Sequence, residues 1–253
     1  MCNMHIERIK TFVRRRNNAR SLGVKFHRSA TFTLPVEMIV AGRMIRLHLP
    51  DEHGVKMAFI DIFLDDCYRC HALKKSTGPV KTILDIGANA GLFGLHARNV
   101  FHDATIHAYE PNTLLLTSLS QHAASARFQY FVEAVGAGSG YVSLQCNGES
   151  VLTRVQPDLM GTVPQVSFQQ AIERLGGNID LLKIDCEGAE WELFEDTDSW
   201  RHVKHLCMEY HLFHPGQTEQ AVRETLIDLG FTITSFVPIH NFGLVTATRH
   251  TSV

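Results

Sequence analysis

The chain has 253 residues, 45% of them hydrophobic and 20% charged, with 24 Lys+Arg against 26 Asp+Glu and a formal net charge of -2. These proportions exclude disorder, collagen and a disulfide-dense scaffold, and the near-neutral balance gives no general field for attracting nucleic acid. The length suits one large domain, or one with a small appendage.

No stretch reaches the ~20 apolar residues of a membrane span, and Met1-Cys2-Asn3-Met4-His5-Ile6-Glu7 lacks an apolar signal core, so a cytoplasmic location is expected. The six Cys then read as reduced thiols. Residues 1 to about 25 carry Lys10, Arg14, Arg15, Arg16 and Arg20 among Ile6, Ile9, Phe12 and Val13 at three- and four-residue steps. That spacing predicts an amphipathic helix with a cationic, solvated face. Residues 31–49, alternating or apolar around Gly42, predict a short β-hairpin, and Val55 to Leu73 has helical spacing. The turn cluster Ser76-Thr77-Gly78-Pro79 marks the expected boundary between an N-terminal segment (1–75), acting as a lid or a contact between copies, and a main domain (76–253).

From residue 80 short apolar runs alternate with amphipathic ones. Strands are predicted at Val80–Ile86, Thr105–Glu110, Phe128–Val135, Ile179–Asp185, Val203–Tyr210, Phe231–Val237 and Leu244–Thr248. Helices are predicted at about 91–101, 112–124, 167–175, 188–196 and 217–229. The alternation implies an α/β fold of three layers, a Rossmann-like, seven-stranded and mostly parallel sheet. The last two strands are joined through His240-Asn241-Phe242-Gly243 without room for a helix, so they must pair antiparallel.

The most informative stretch is Leu84-Asp85-Ile86-Gly87-Ala88-Asn89-Ala90-Gly91. An apolar strand enters a glycine-containing turn and then a helix, so backbone can approach a ligand beside a helix N-terminus. The spacing G-x-N-x-G differs from the dinucleotide G-x-G-x-x-G. Asp85 places a carboxylate where a pyrophosphate would be repelled and an ammonium group welcomed. Glu110, in Tyr109-Glu110-Pro111-Asn112, follows about twenty residues on, the interval at which a carboxylate accepts hydrogen bonds from ribose hydroxyls. An ammonium-bearing nucleoside without phosphate, S-adenosylmethionine, meets both conditions.

With these residues in view, the chain resembles class I S-adenosylmethionine-dependent methyltransferases and, within them, the FkbM family. The likeness rests on Asp85-Ile86-Gly87-Ala88-Asn89-Ala90-Gly91, on Tyr109-Glu110-Pro111-Asn112, and on Asp180-Leu181-Leu182-Lys183-Ile184-Asp185-Cys186-Glu187-Gly188-Ala189-Glu190. It extends to Phe63-Leu64-Asp65-Asp66-Cys67-Tyr68-Arg69 and Met208-Glu209-Tyr210-His211, covering roughly residues 60–250. Cys186 stands where the family commonly has Val, and Gln169 where it often has Asp. The resemblance implies methyl transfer to a hydroxyl oxygen of a sugar, polyketide or related small metabolite. The donor would touch Asp85, Gly87, Ala88, Asn89 and Gly91 with its methionine end, Glu110 and Pro111 with its ribose, and Glu133, Ala134 and Val135 with its adenine. Asp185 and Tyr68 complete the expected donor site.

In an open parallel sheet the ligand lies beyond the carboxyl ends of the strands. Lys183 and Asp185 in an apolar central strand are costly unless paired or functional. Asp185 is the leading expected base, Lys183 its neutralising partner, and Glu187 and His211 further catalytic candidates, His211 because its ordinary pKa suits a proton acceptor near neutrality. Glu190 is expected to serve the N-terminus of a helix. Asp185, Glu209 and His211 could gather a divalent ion, but nothing in their spacing enforces one, and no metal ligand is assigned. Cys67-Tyr68-Arg69-Cys70-His71 matches the haem-attachment pattern C-x-x-C-H; without an export signal, scattered thiols are the simpler reading. Two rival functions are a nicotinamide-dependent oxidoreductase, separable by cofactor titration, and a catalytically silent binding module.

Overall fold

A computed structural model describes residues 2–146, 153–157 and 161–249 of the chain; Met1 of the expected first helix lies outside them. Helix α1 (Cys2–Ser21) leads into the hairpin of β1 (Glu37–Val40) and β2 (Arg43–Arg46). The hairpin turns at Ala41-Gly42, both at positive φ, as a two-residue turn between twisted strands requires. The cationic face of α1 is partly docked: Arg14 reaches Asp65 at 2.8 Å, and Arg15 bonds Asp65 and Ser29.

The expected helix over 55–73 is interrupted. Helix α2 (His53–Phe59) runs into a π turn (Ile60–Leu64), and α3 (Cys70–Ser76) begins afresh. Asp66 and Arg69 adopt left-handed φ of 53° and 55°. Asp66 compensates by accepting the N–H groups of Cys70 and His71 at 2.9 and 3.1 Å, and His96 holds the same carboxylate at 3.1 Å.

The chain continues with β3 (Thr82–Ile86), α4 (Leu92–Val100), β4 (Thr105–Tyr109), α5 (Leu116–Ala126), β5 (Gln129–Phe131), β6 (Ala134–Gly136), β7 (Gly140–Cys146), β8 (Thr153–Pro157), β9 (Val163–Ser167), α6 (Phe168–Arg174), β10 (Ile179–Ile184), α7 (Glu190–Glu195), α8 (Thr197–Trp200), β11 (Val203–His211), α9 (Glu219–Asp228), β12 (Thr232–Ile239) and β13 (Phe242–Thr248). Seven strands form one sheet in the order β12-β13-β11-β10-β3-β4-β5. All run parallel except β13, which is antiparallel to both its neighbours. The fold is therefore the Rossmann-like methyltransferase arrangement with an antiparallel strand near one edge.

Strand alternation sorts the core into two layers. Ile83, Leu181 and Cys207 face a cluster that joins α4 and α5 with Leu22, Phe59, Phe63 and other N-terminal residues. Leu84, Leu182, Leu206 and Met208 face the opposite cluster, with Ile172, Leu193, Trp200 and Leu226 from α6 to α9. The expected strand over 128–135 divides: β5 stays in the main sheet, while β6 joins a second sheet of order β6-β9-β7-β8. That second sheet was absent from the sequence reading.

Candidate active site

The carboxyl ends of β3, β4, β10 and β11 open on a cavity of about 480 Å³. Gly87, Ala88 and Asn89 form one wall. The N–H groups of Gly87 and Ala88 both donate to the Tyr109 carbonyl at 3.0 Å, tying the turn to the end of β4. Gly87 sits at φ 77°, and a Cβ there would overlap the Asp185 carbonyl, so glycine is needed for two strand ends to approach.

Glu110 lies against this turn, 7% exposed. Its carboxylate accepts the N–H of Asn89 at 2.7 Å and that of Asn112 at 2.8 Å, so its position is fixed while lone pairs remain for hydroxyl donors. Burial pushes its pKa up to about 7 against the pull of those two N–H groups and of Lys183. Pro111, Glu133, Ala134 and Val135 continue the lining on that side. Glu133 is held by Arg174 at 2.5 Å.

The opposite side is acidic. Asp185, Glu187, Glu209 and Asp61 line it together with Lys183, His211 and Tyr68. Tyr68 donates its hydroxyl to Asp185 Oδ2 at 2.9 Å. The π turn brings Asp61 to the cavity, where burial, then Asp65, raises its pKa to about 6. Glu209 is raised too, by burial and the nearby Asp185.

His211 is held by carboxylates. Glu190, fully buried, takes the His211 backbone N–H at 2.5 Å and faces Nδ1 at 3.2 Å, while its other oxygen accepts the Gly188 N–H at 2.9 Å. Nε2 lies 3.5 Å from Glu209 and 3.7 Å from Glu187. Burial alone would lower the His211 pKa, but Glu190, Glu209 and Glu187 outweigh it and raise the value to about 11. These carboxylates favour the charged ring over the neutral proton acceptor expected from the sequence. Glu190 does more than serve a helix end, since it orients the ring.

Of the donor residues expected from sequence, Tyr68, Gly87, Ala88, Asn89, Glu110, Pro111, Glu133, Ala134, Val135 and Asp185 line the cavity. Asp85 and Gly91 are not among the lining residues. Asp85 is fully buried beneath the turn, and Lys183 Nζ stands 3.0 Å from its carboxylate. Gly91 begins α4 and packs toward Leu119 and Phe128. The direct ammonium contact expected of Asp85 is corrected accordingly: adjacent strands place Asp85 opposite Lys183, and the two charges meet inside the protein. Burial raises the Asp85 pKa while Lys183 opposes it. For Lys183, burial would lower the value, but Asp85 and Asp185 hold it above the ordinary range. Lys183 stands 4.0 Å from Asp185 and donates to the Gly87 carbonyl at 2.5 Å.

Asp61 and the apolar lining residues Met57, Ala58, Ile62, Phe213 and Phe242 were not expected from the sequence. Only the Asp within the apolar run Ala58–Leu64 offered a signal.

Residues 85–233 match the Methyltransferase FkbM domain. The chain belongs to the FkbM methyltransferase family. It is accordingly a methyltransferase that uses S-adenosylmethionine, and family membership sets aside the oxidoreductase alternative. It is 28% identical to Methyltransferase sdnD of Sordaria araneosa over 244 residues, covering 75% of this chain and 88% of that protein. It is 36% identical to the 31-O-demethyl-FK506 methyltransferase FkbM of Streptomyces tacrolimicus over 200 residues, covering 60% of this chain and 72% of that protein. Among solved structures, the fibrillarin pre-rRNA processing protein of Methanococcus jannaschii matches with a TM-score of 0.48 and 13% identity, covering 89% of this chain and 86% of that one. No helix among the described residues is long and apolar enough to cross a membrane.

Proposed function

We propose that this methyltransferase acts on a hydroxyl oxygen of a small metabolite with an apolar body, such as a polyketide or a sugar-bearing relative. The FkbM relative is named for an O-demethyl acceptor, and the cavity lining combines several carboxylates with apolar side chains. The observation that carries the reading is the presence in one cavity of Glu110, fixed by two backbone N–H groups, and Asp185, fixed by Tyr68.

In this reading the backbone of Gly87 to Asn89 receives the methionine end of the donor. Glu110 accepts from the ribose hydroxyls, and Glu133 to Val135 lie along the adenine. The sulfonium meets a lining rich in carboxylates, which favours a cation. Residues 1–75 supply the acceptor-side wall through Gly54, Met57, Ala58, Asp61, Ile62 and Tyr68.

Methyl transfer is an in-line displacement: the oxygen–carbon bond forms as the carbon–sulfur bond breaks, and sulfur leaves neutral. Alignment of the two reactants contributes as much as about 7–11 kcal/mol in favourable cases. The hydroxyl proton must also be taken up, and Asp185 is the base. Tyr68 occupies Oδ2, which leaves Oδ1 to receive the proton, and Lys183 stands 4.0 Å from Oδ2. Base assistance is worth about a hundredfold to ten-thousandfold. Glu187 and His211 orient the acceptor beside Asp185.

The test is transfer of a deuterated methyl group from S-adenosylmethionine to a panel of polyketide and glycoside alcohols, with NMR locating the new group. A methyl ether on at least one acceptor, lost in Asp185→Asn with donor affinity retained, supports the proposal. Methyl found only on nitrogen or carbon, or no transfer across the panel, overturns it.

A further inference from the structure

We propose that His122 is a positioning residue whose imidazole ties the turn that receives the donor to the N-terminal segment that walls the acceptor side, so that filling the first orders the second. His122 lies in α5, fully buried and outside the cavity lining. Its Nδ1 stands 2.6 Å from the Ala90 carbonyl oxygen, and its Nε2 3.0 Å from the His48 amide nitrogen. A carbonyl can only accept and an amide N–H can only donate. The two partners therefore dictate one form of the ring, neutral with its proton on Nδ1. Burial favours that form by lowering the ring's pKa, against the pull of the Ala90 carbonyl.

Each arm of the link ends on an element that reaches the cavity. Ala90 directly follows Gly87, Ala88 and Asn89, which line the donor side. The Asn89 N–H goes to Glu110 at 2.7 Å, and the Ala90 N–H to the Asn89 side chain at 2.7 Å. With its carbonyl on His122, both polar backbone groups of Ala90 are held by side chains. Asn89 and Gly91 on either side have φ of 50° and 82°, so these side-chain bonds supplement the helix ladder where the backbone leaves helical geometry. The other arm, His48, follows β2 and precedes α2, whose Gly54, Met57 and Ala58 line the cavity. A donor that settles against the turn steadies the Ala90 end of the link, and the fixed imidazole extends that order to the segment running from His48 into α2. The acceptor wall is then completed with the donor already in place. This inference rests on the donor lying against Gly87 to Asn89, and not on which acceptor is methylated.

The experiment pairs calorimetric titration of S-adenosylhomocysteine with amide hydrogen exchange over residues 47–59, measured with and without that ligand, in the full chain. Wild type, His122→Asn, His122→Gln and His48→Pro are compared. The amide of asparagine reaches the place of Nδ1, so it still donates to Ala90 but no longer accepts from His48. The amide of glutamine reaches the place of Nε2 and keeps the His48 bond while losing that to Ala90. His48→Pro removes the N–H and leaves the imidazole intact. Loss of one such hydrogen bond is worth about fivefold. His122→Gln is therefore expected to bind S-adenosylhomocysteine about fivefold more weakly than wild type, while His122→Asn and His48→Pro stay within about twofold. The ligand is expected to slow exchange over residues 47–59 in wild type and to leave it unchanged in His122→Asn and His48→Pro. A side chain that only filled space would not divide the asparagine and glutamine variants in this way. Equal affinity in those two variants overturns this inference alone, as does slowing over 47–59 that is absent from wild type or persists in both His122→Asn and His48→Pro. A wild type that binds no S-adenosylhomocysteine would overturn the donor-site reading and this inference with it.

Discussion

The Asp85–Lys183 pair offers a stability test that also bears on donor binding. Asp85 is fully buried and its carboxylate has no hydrogen-bond partner of good geometry among the described residues, so the cation 3.0 Å away is its main compensation. Lys183→Met would strand that carboxylate, and removal of one member of a buried pair costs about 3–5 kcal/mol. Asp85→Asn leaves Lys183 with the Gly87 carbonyl and Asp185, so a smaller cost of about 1–3 kcal/mol is expected. The double variant should be more stable than the sum of the two single losses by about 1–3 kcal/mol, since it no longer buries an uncompensated charge. Urea unfolding followed by the fluorescence of buried Trp200 measures all four corners of the cycle. Strict additivity would refute the pairing. In the same samples, Asp85→Asn should keep S-adenosylhomocysteine affinity within about threefold, because Asp85 is not a lining residue. A hundredfold loss would reinstate a direct contact between Asp85 and the donor.

Other outcomes are expected. Glu110 is raised from an ordinary 4.5 to about 7 by burial, so below pH 4.5 both folded and unfolded chains hold its proton, and as pH rises from 4.5 to 7 the unfolded chain gives it up while the folded chain keeps it. Stability from this group therefore falls by about 3 kcal/mol between pH 4 and 8; a Glu110→Gln variant whose melting curve shifts with pH by the same amount as wild type would contradict it. Gly87→Ala, with its Cβ against the Asp185 carbonyl and φ in the left-handed region, should abolish donor binding while Gly42→Ala, which meets nothing within 4 Å, should not. Tyr68→Phe removes one hydrogen bond to Asp185, worth about 1 kcal/mol, and should lower kcat roughly fivefold at unchanged donor affinity; unchanged kcat counts against Asp185 as the base.

The main sheet is legible in the sequence because its strands are short apolar runs separated by amphipathic helices of ordinary length, and the 240–243 turn leaves no room for a crossover. Glu110 and the Gly87 turn are legible for the same local reason: strand ends and turn residues fix where backbone and carboxylate meet. The partner of Asp85 is not local. It depends on β3 lying next to β10 with Lys183 opposite Asp85, a register the sequence does not display. The protonation of His211 likewise depends on Glu187, Glu190 and Glu209 converging from two strand ends. The break at Asp66 escapes a periodicity reading because the apolar spacing continues across it, while the side chain that restarts the helix is held by His96 from α4.

The central claim is that the cavity between Glu110 and Asp185 holds the sulfonium nucleoside. Calorimetric titration of S-adenosylhomocysteine and of NAD into wild type and Glu110→Ala tests it most directly. One S-adenosylhomocysteine per chain, weakened at least tenfold in the variant, with no measurable NAD binding, is the expected result; equal affinity in wild type and variant, or preference for NAD, would contradict it.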